Sequence, residues 1–388
     1  AKRPVLVWLH GGGFSMGSAI EQKAYNGENM SKYGNVVVVT VNHRLNILGY
    51  LDLSQYGEKY ADSANAGQED LIAALRWVKE NIRNFGGDPE NVTIFGQSGG
   101  GMKVSGLMQM KGADGLFQKG IIMSGVTDES LKYCDKDSTP LIQALLQELH
   151  LDESQVEELE TIPYYELARA YNKVSPPLEQ AGEYVGCTPK PNAFYAGEGP
   201  TAGFRKEAVK IPLMIGSVFG EFYMGPQPFF KDKITREELQ DRIKNRFGVY
   251  AEEITEAFKE AYPGKNPADL LTLDVIFRRP SKKFLQEFAK AGGTIYSYLF
   301  ALEFPYQHGK TAWHCSDIPF VFHNTELVPT ANIPQVSDRL EKQMFDAVMR
   351  FAETGNPNHP DIPLWPASVY GKEETMIFDR TCEVRRNF

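Results

Sequence analysis

The segment Val92-Thr-Ile-Phe95 followed by Gly96-Gln-Ser98-Gly-Gly100 constrains this chain more than any other. A short, nearly continuous apolar run stops on a glycine, and helix-compatible residues resume near Met102. That pattern predicts a buried strand, a sharp turn and a helix, with the serine at the apex of the turn. Glycines on both sides remove the Cβ atoms that would collide where two backbone segments approach. The serine Oγ is then exposed, and the N-terminus of the following helix favours negative charge developing beside it. By itself the motif is also compatible with a glycine-rich turn carrying an incidental serine.

Two further runs share the character of the first. Pro4-Val-Leu-Val-Trp-Leu9 stops at His10-Gly-Gly-Gly13, and Val36 to Val41 stops at Asn42-His-Arg44. Continuous rather than alternating apolar strands are expected in a parallel sheet covered on both faces. Between them and Val92 lies Gln68 to Asn84, where Leu71, Leu75, Val78 and Ile82 recur at helical spacing. Phe85 to Pro89 then breaks the helix, which completes a βαβ unit. Ile121 to Met123, Ile211 to Ile215 and Thr294 to Phe300 read as further buried strands. Helices are expected over Ser138 to Tyr171, after a capping box at Thr235-Arg-Glu-Glu238, and over Asp338 to Glu353 with Gly355 as its stop. Residues 130–290, helical and aromatic, are expected to include a cap or side subdomain within a single catalytic domain spanning 1–388.

The 388 residues suffice for a large core. A net charge of -9 disfavours a nucleic-acid surface. No apolar run reaches membrane-spanning length. Cys134, Cys187, Cys315 and Cys382 lack zinc-ribbon spacing, and they leave one or two disulfides and the compartment open.

A serine nucleophile needs a base and an orienting carboxylate. The glycines after His10 can present backbone N–H groups to an oxyanion, so Gly12 and Gly13 together with Gly99 make a candidate oxyanion hole. No Lys-Ser/Thr follows this run, and dinucleotide spacing is lacking, which argues against a phosphate loop. Spacing slightly favours His314 as the base, leaving His308, His323 and His359 open. A zinc site of His314 with Cys315 has no evident partner pair. Glu221, just beyond the Ile211–Ile215 strand, is placed for sheet-edge chemistry, although an ordinary solvated loop acid has the same signature.

The chain resembles the type-B carboxylesterase family through most of its length. The resemblance rests on Pro4 to Phe14, on Phe85 to Gly100 and on His314 to Phe322, with Trp365-Pro366 as a C-terminal marker. It implies an α/β-hydrolase fold: a mostly parallel central sheet with helices on both faces and a helical cap region. It also implies cofactor-free and metal-free hydrolysis of a small carboxylic ester through an acyl-serine. Ser98 would be the nucleophile, Glu221 the acid and His314 the base. Gly12, Gly13 and Gly99 would be the oxyanion donors, and Ser124 would lie close to the acid. Three positions depart from the family. Gln97 replaces the usual glutamate before the serine, so the family's pH behaviour and preference for cationic substrates do not carry over. Gly99 replaces alanine, which is expected to loosen the turn. Gly220-Glu221-Phe222 replaces an aspartate-glutamate-glycine pattern.

Family members also begin with strands that this chain does not show, so Val36 to Val41 is expected at a sheet edge covered by a preceding segment, a second chain or a subunit. The aromatic residues Phe219, Phe222, Tyr223, Phe229 and Phe230 are compatible with an apolar acyl or aryl pocket and equally with core packing at a subdomain junction. A non-catalytic binding module on the same fold and an amide hydrolase are the alternative functions; all three positions matched to the triad are filled, whereas such binding modules have typically lost one.

Overall fold

A computed structural model describes residues 2–128, 137–223 and 229–388. Cys134 and the start of the expected 130–290 subdomain lie outside the described residues. Eight strands form one sheet in the order β2-β1-β3-β4-β5-β6-β7-β8. They are β1 (Arg3–Leu9), β2 (Val37–Val41), β3 (Gly87–Gln97), β4 (Lys119–Met123), β5 (Leu213–Val218), β6 (Ile295–Phe300), β7 (Glu374–Phe378) and β8 (Glu383–Arg386). All neighbours pair in parallel except β7 with β8.

The apolar runs lie where buried parallel strands are expected. Their side chains alternate between two cores: Leu6 and Trp8 of β1 face one, and Val5, Val7 and Leu9 face the other. The first core is closed by helix Ser337–Thr354 through Leu340, Met344, Val348 and Phe351. Helices Ala66–Asn81, Gly99–Met108 and Arg278–Lys290 close the second. Gly355 ends helix Ser337–Thr354 in the left-handed conformation with φ 78°, as expected. The Thr235 hydroxyl caps its helix by accepting from the Glu238 N–H.

Several elements differ from the sequence reading. β3 begins at Gly87 because Arg3 pairs with Gly87, and the register then shifts so that Val5 pairs with Val92. The stretch from Ser138 to Tyr171 is three pieces: helix Thr139–Glu148, a tight helical turn over Glu153–Glu160, and a helix from Tyr164 to Gln180. Its Leu141, Ile142, Leu145, Leu146 and Leu167 pack on Ile47, Tyr50 and Leu53 as a third, smaller core. β7 and β8 were not anticipated.

Among the described strands β2 lies at one edge of the sheet and β8 at the other, and β2 is half-buried along most of its length. Cys187, Cys315 and Cys382 are free thiols. Among the described residues, no helix is long and apolar enough to cross a membrane.

The indole of Trp8, fully buried, meets Tyr25, Phe95 and Phe322 at centroid distances of 4.9, 4.9 and 5.0 Å. Trp8→Ala is expected to cost about 3–5 kcal/mol of stability. A urea midpoint matching that of the parent would contradict this packing role.

Candidate active site

β3 ends at Gln97, and Ser98 stands between it and helix Gly99–Met108 with φ 58° and ψ -124°. A non-glycine residue held there is strained by about 1–3 kcal/mol. Two hydrogen bonds impose it: Ser98 N–H donates to the Met123 carbonyl at 2.8 Å, and Met102 N–H donates to the Ser98 carbonyl at 3.1 Å. The glycines around it are required by close approach. A Cβ on Gly100 would overlap the Leu9 carbonyl oxygen, and one on Gly99 would overlap the backbone of Gly13. The turn at Gly99 is therefore not loosened, because the glycine loop after β1 occupies the space a methyl group would take.

That loop turns back on itself, with the Gly12 carbonyl accepting from Ser15 and Met16 N–H groups at 3.2 and 3.1 Å. Among the described residues, the N–H groups of Gly12 and Gly13 have no acceptor. The N–H of Gly99 lies in the first turn of its helix, where no intrahelical partner exists. Gly13 lies against Gly99, the residue after Ser98: a Cβ on Gly99 would come within 2.4 Å of the Gly13 nitrogen.

Glu221 follows β5 on the same edge of the sheet, with φ 38°. Its loop is tied to the loop bearing the histidine: Glu221 bridges Trp313, and His314 N–H donates to the Glu221 carbonyl at 3.0 Å. The buried carboxylate accepts from Ser124 Oγ at 2.6 Å and from Val218 N–H at 2.9 Å through Oε1. Its Oε2 meets His314 Nδ1 at 2.5 Å. With the proton on Nδ1, the lone pair on Nε2 is left to accept another. His314, rather than His308, His323 or His359, is thus the histidine coupled to Glu221.

Gln97 is buried beside this pair. Its Nε2 lies 3.3 and 3.2 Å from His314 Nδ1 and Nε2, so the amide sits over the ring face rather than in line with either lone pair. The Cys315 thiol donates to Gln97 Oε1 at 3.1 Å. Among the described residues, no hydrogen bond joins Ser98 Oγ to the imidazole; in substrate-free hydrolases this bond is often long and tightens in the complex.

The aromatic cluster divides between the two expectations. Phe219 is buried against Phe258 and Tyr262 as core. Phe222 is half-exposed, with its ring 4.2 Å from the His314 ring. Phe277, for which the sequence holds no motif, stacks on the same imidazole at 5.0 Å and 17°. Asp317 was also missed. Burial pushes its carboxyl up to about 7, and Tyr298 OH donates to it at 2.9 Å.

Asp346, His359 and Asp361 are the described group that could offer metal ligands. The Lys342 ammonium already contacts both carboxylates, at 2.5 and 2.8 Å.

Comparisons with known proteins identify the family. The model of the carboxylesterase family matches residues 1–387. The para-nitrobenzyl esterase of Bacillus subtilis is 32% identical over 385 residues, covering 97% of this chain and 76% of the relative. Rabbit (Oryctolagus cuniculus) liver carboxylesterase 1 is 29% identical over 408 residues, covering 95% of this chain and 69% of the relative. Among solved structures, an esterase from anaerobic Clostridium hathewayi superposes with a TM-score of 0.95 at 66% identity, covering all of this chain and 77% of that one. That esterase can hydrolyse aliphatic aromatic polyesters.

Two substitutions test the site. Gly100→Ala, whose Cβ would come within 1.9 Å of the Leu9 carbonyl oxygen, is expected to push the turn off β1 and lower kcat by roughly 10²–10³, as for a lost oxyanion donor; kcat within twofold of the parent would refute the close approach. Ser124→Ala removes one hydrogen bond to a charged group, worth about 1.5–3 kcal/mol. It should lower kcat/KM by about tenfold or more in steady-state assays.

Proposed function

Since this chain belongs to the carboxylesterase family and is a serine hydrolase of carboxylic esters, we propose that Ser98, Glu221 and His314 are its catalytic triad. The observation that carries this is the Glu221–His314 contact at 2.5 Å beside the strained Ser98 turn. Ser98 Oγ attacks the ester carbonyl while His314 Nε2 takes its proton, and Glu221 steadies the imidazolium that forms. The N–H groups of Gly12, Gly13 and Gly99 hold the tetrahedral oxygen. His314 returns the proton to the departing alcohol, leaving an acyl-serine, and water activated by the same imidazole releases the acid. Ser124 positions Glu221. Gln97 is neutral, so it brings no negative charge to the imidazolium and no attraction for a cationic substrate.

The substrate reading is an ester with a small acyl or aryl group. It is supported by Phe222, half-exposed against His314, and by Phe277 behind the same ring. The likeness to the Clostridium hathewayi esterase extends it to aliphatic aromatic polyester segments, whose aryl units suit an aromatic wall. Residues 1–388 act as one catalytic domain, with Thr139–Gln180 as a side element over the loops. β2, paired on one side only, is available to a further strand from another segment or subunit.

A fluorophosphonate probe should label the parent protein and leave Ser98→Ala unlabelled. Equal labelling of both would remove Ser98 from the mechanism. Phe222→Ala should raise KM for an aryl ester about fivefold, the loss of about 1 kcal/mol of ring contact, while changing an aliphatic ester of equal length less. Equal effects on the two esters would remove Phe222 from the substrate wall.

A further inference from the structure

One buried cation close to the site takes no part in the scheme above. Lys103 lies in helix Gly99–Met108 with its side chain fully buried. Its ammonium donates to the His10 carbonyl at 2.9 Å, the last peptide oxygen before the glycine loop. The Phe14 ring, on the far side of that loop, is 5.9 Å from the ammonium. Among the described residues, no carboxylate forms an ion pair with it.

Its titratable neighbours give it no counter-charge. His10 and His43 stack at 5.1 Å, and burial beside Lys103 holds them neutral, at about 4 and about 3. Glu21 acts only at longer range, and burial lowers the Lys103 ammonium itself to about 7. A lysine kept in such a place is costly unless its donor or its charge is used.

Lys103 binds the oxygen of the His10 carbonyl, and the start of its own helix passes close by, since a Cβ on Gly100 would come within 3.1 Å of that oxygen. The next three residues are glycines, with backbone freedom that nothing else in their own side chains restrains. A donor fixed on the rigid helix that starts at the nucleophile therefore sets where the glycine loop leaves β1.

We propose that Lys103 is a positioning residue for the oxyanion hole, anchoring the loop of Gly12 and Gly13 to the nucleophile's own helix through the His10 carbonyl. This rests on the reading of Gly12, Gly13 and Gly99 as the oxyanion donors. It requires Lys103 to matter most when the oxygen carries charge, and little when the ester is merely bound.

A trifluoromethyl ketone separates those states. Ser98 Oγ adds to its carbonyl carbon, the π pair becomes the bound oxyanion, and the hydroxyl proton moves to His314. In folded Lys103→Met, the ketone's inhibition constant should weaken at least tenfold and kcat should fall in parallel, while KM stays within twofold. Lys103→Gln, which keeps an N–H donor in a smaller volume, should recover part of the loss, and it decides the matter if the methionine variant does not fold. Ketone inhibition unchanged from the parent in the folded variant would overturn the proposal, as would a proportional loss in KM. Failure of both variants to fold would assign Lys103 to fold stability and overturn it as well. The parent is measured first: if the ketone does not inhibit it, the oxyanion-hole reading fails, independently of Lys103.

Discussion

The site depends on how closely two backbone segments approach each other. The loop leaving β1 runs against the start of the helix that follows β3, and Gly99 and Gly100 have no room for a methyl group because Gly13 and Leu9 fill it. Ser98, at positive φ, stands beside that contact, and Gly12, Gly13 and Gly99, proposed above as the oxyanion donors, belong to the two segments that meet there. Strain of this kind persists only where the surroundings over-determine it. Here β3 lies between parallel neighbours on both sides, with its apolar residues fully buried.

The remaining groups are brought in by topology. Ser98, Ser124 and Glu221 follow β3, β4 and β5, three adjacent parallel strands whose C-terminal ends share one edge. His314 comes from a longer excursion after β6 and is tied back by the Glu221–Trp313 bridge. The carboxylate is thus fixed by a hydroxyl and a backbone N–H before it meets the imidazole. Such preorganisation matters because the groups need not move when charge develops. Around the ring, Phe222, Phe277 and the amide of Gln97 pack against the imidazole without adding charge.

Much of this was legible beforehand because it follows from local rules. A β-branched run that stops on glycine is a buried strand leading into a tight turn, and Leu71, Leu75, Val78 and Ile82 can share a face only on a helix. Gly355 at a helix end and Thr235 before one obey capping chemistry. β7 and β8 escaped notice because Glu374 to Phe378 is short and begins with a charged residue, whose carboxylate is met by Lys372 and Arg386 only in the fold. Phe277 carries no motif, and the alignment of its ring with His314 depends on a helix start nearly forty residues earlier in the chain. Lys103 reads as an ordinary helical lysine until its head is seen under the His10 carbonyl.

From the sequence alone came the nucleophile turn, the glycine loop and the strand-helix alternation, because each is set by backbone sterics within about ten neighbouring residues. The resemblance pointed to His314, but spacing left its neighbours open, and the contact that couples it to Glu221 and the place of Gln97 over its ring were decided only in three dimensions. Those contacts join residues 93 and 217 positions apart, and no local pattern encodes a distance across a sheet.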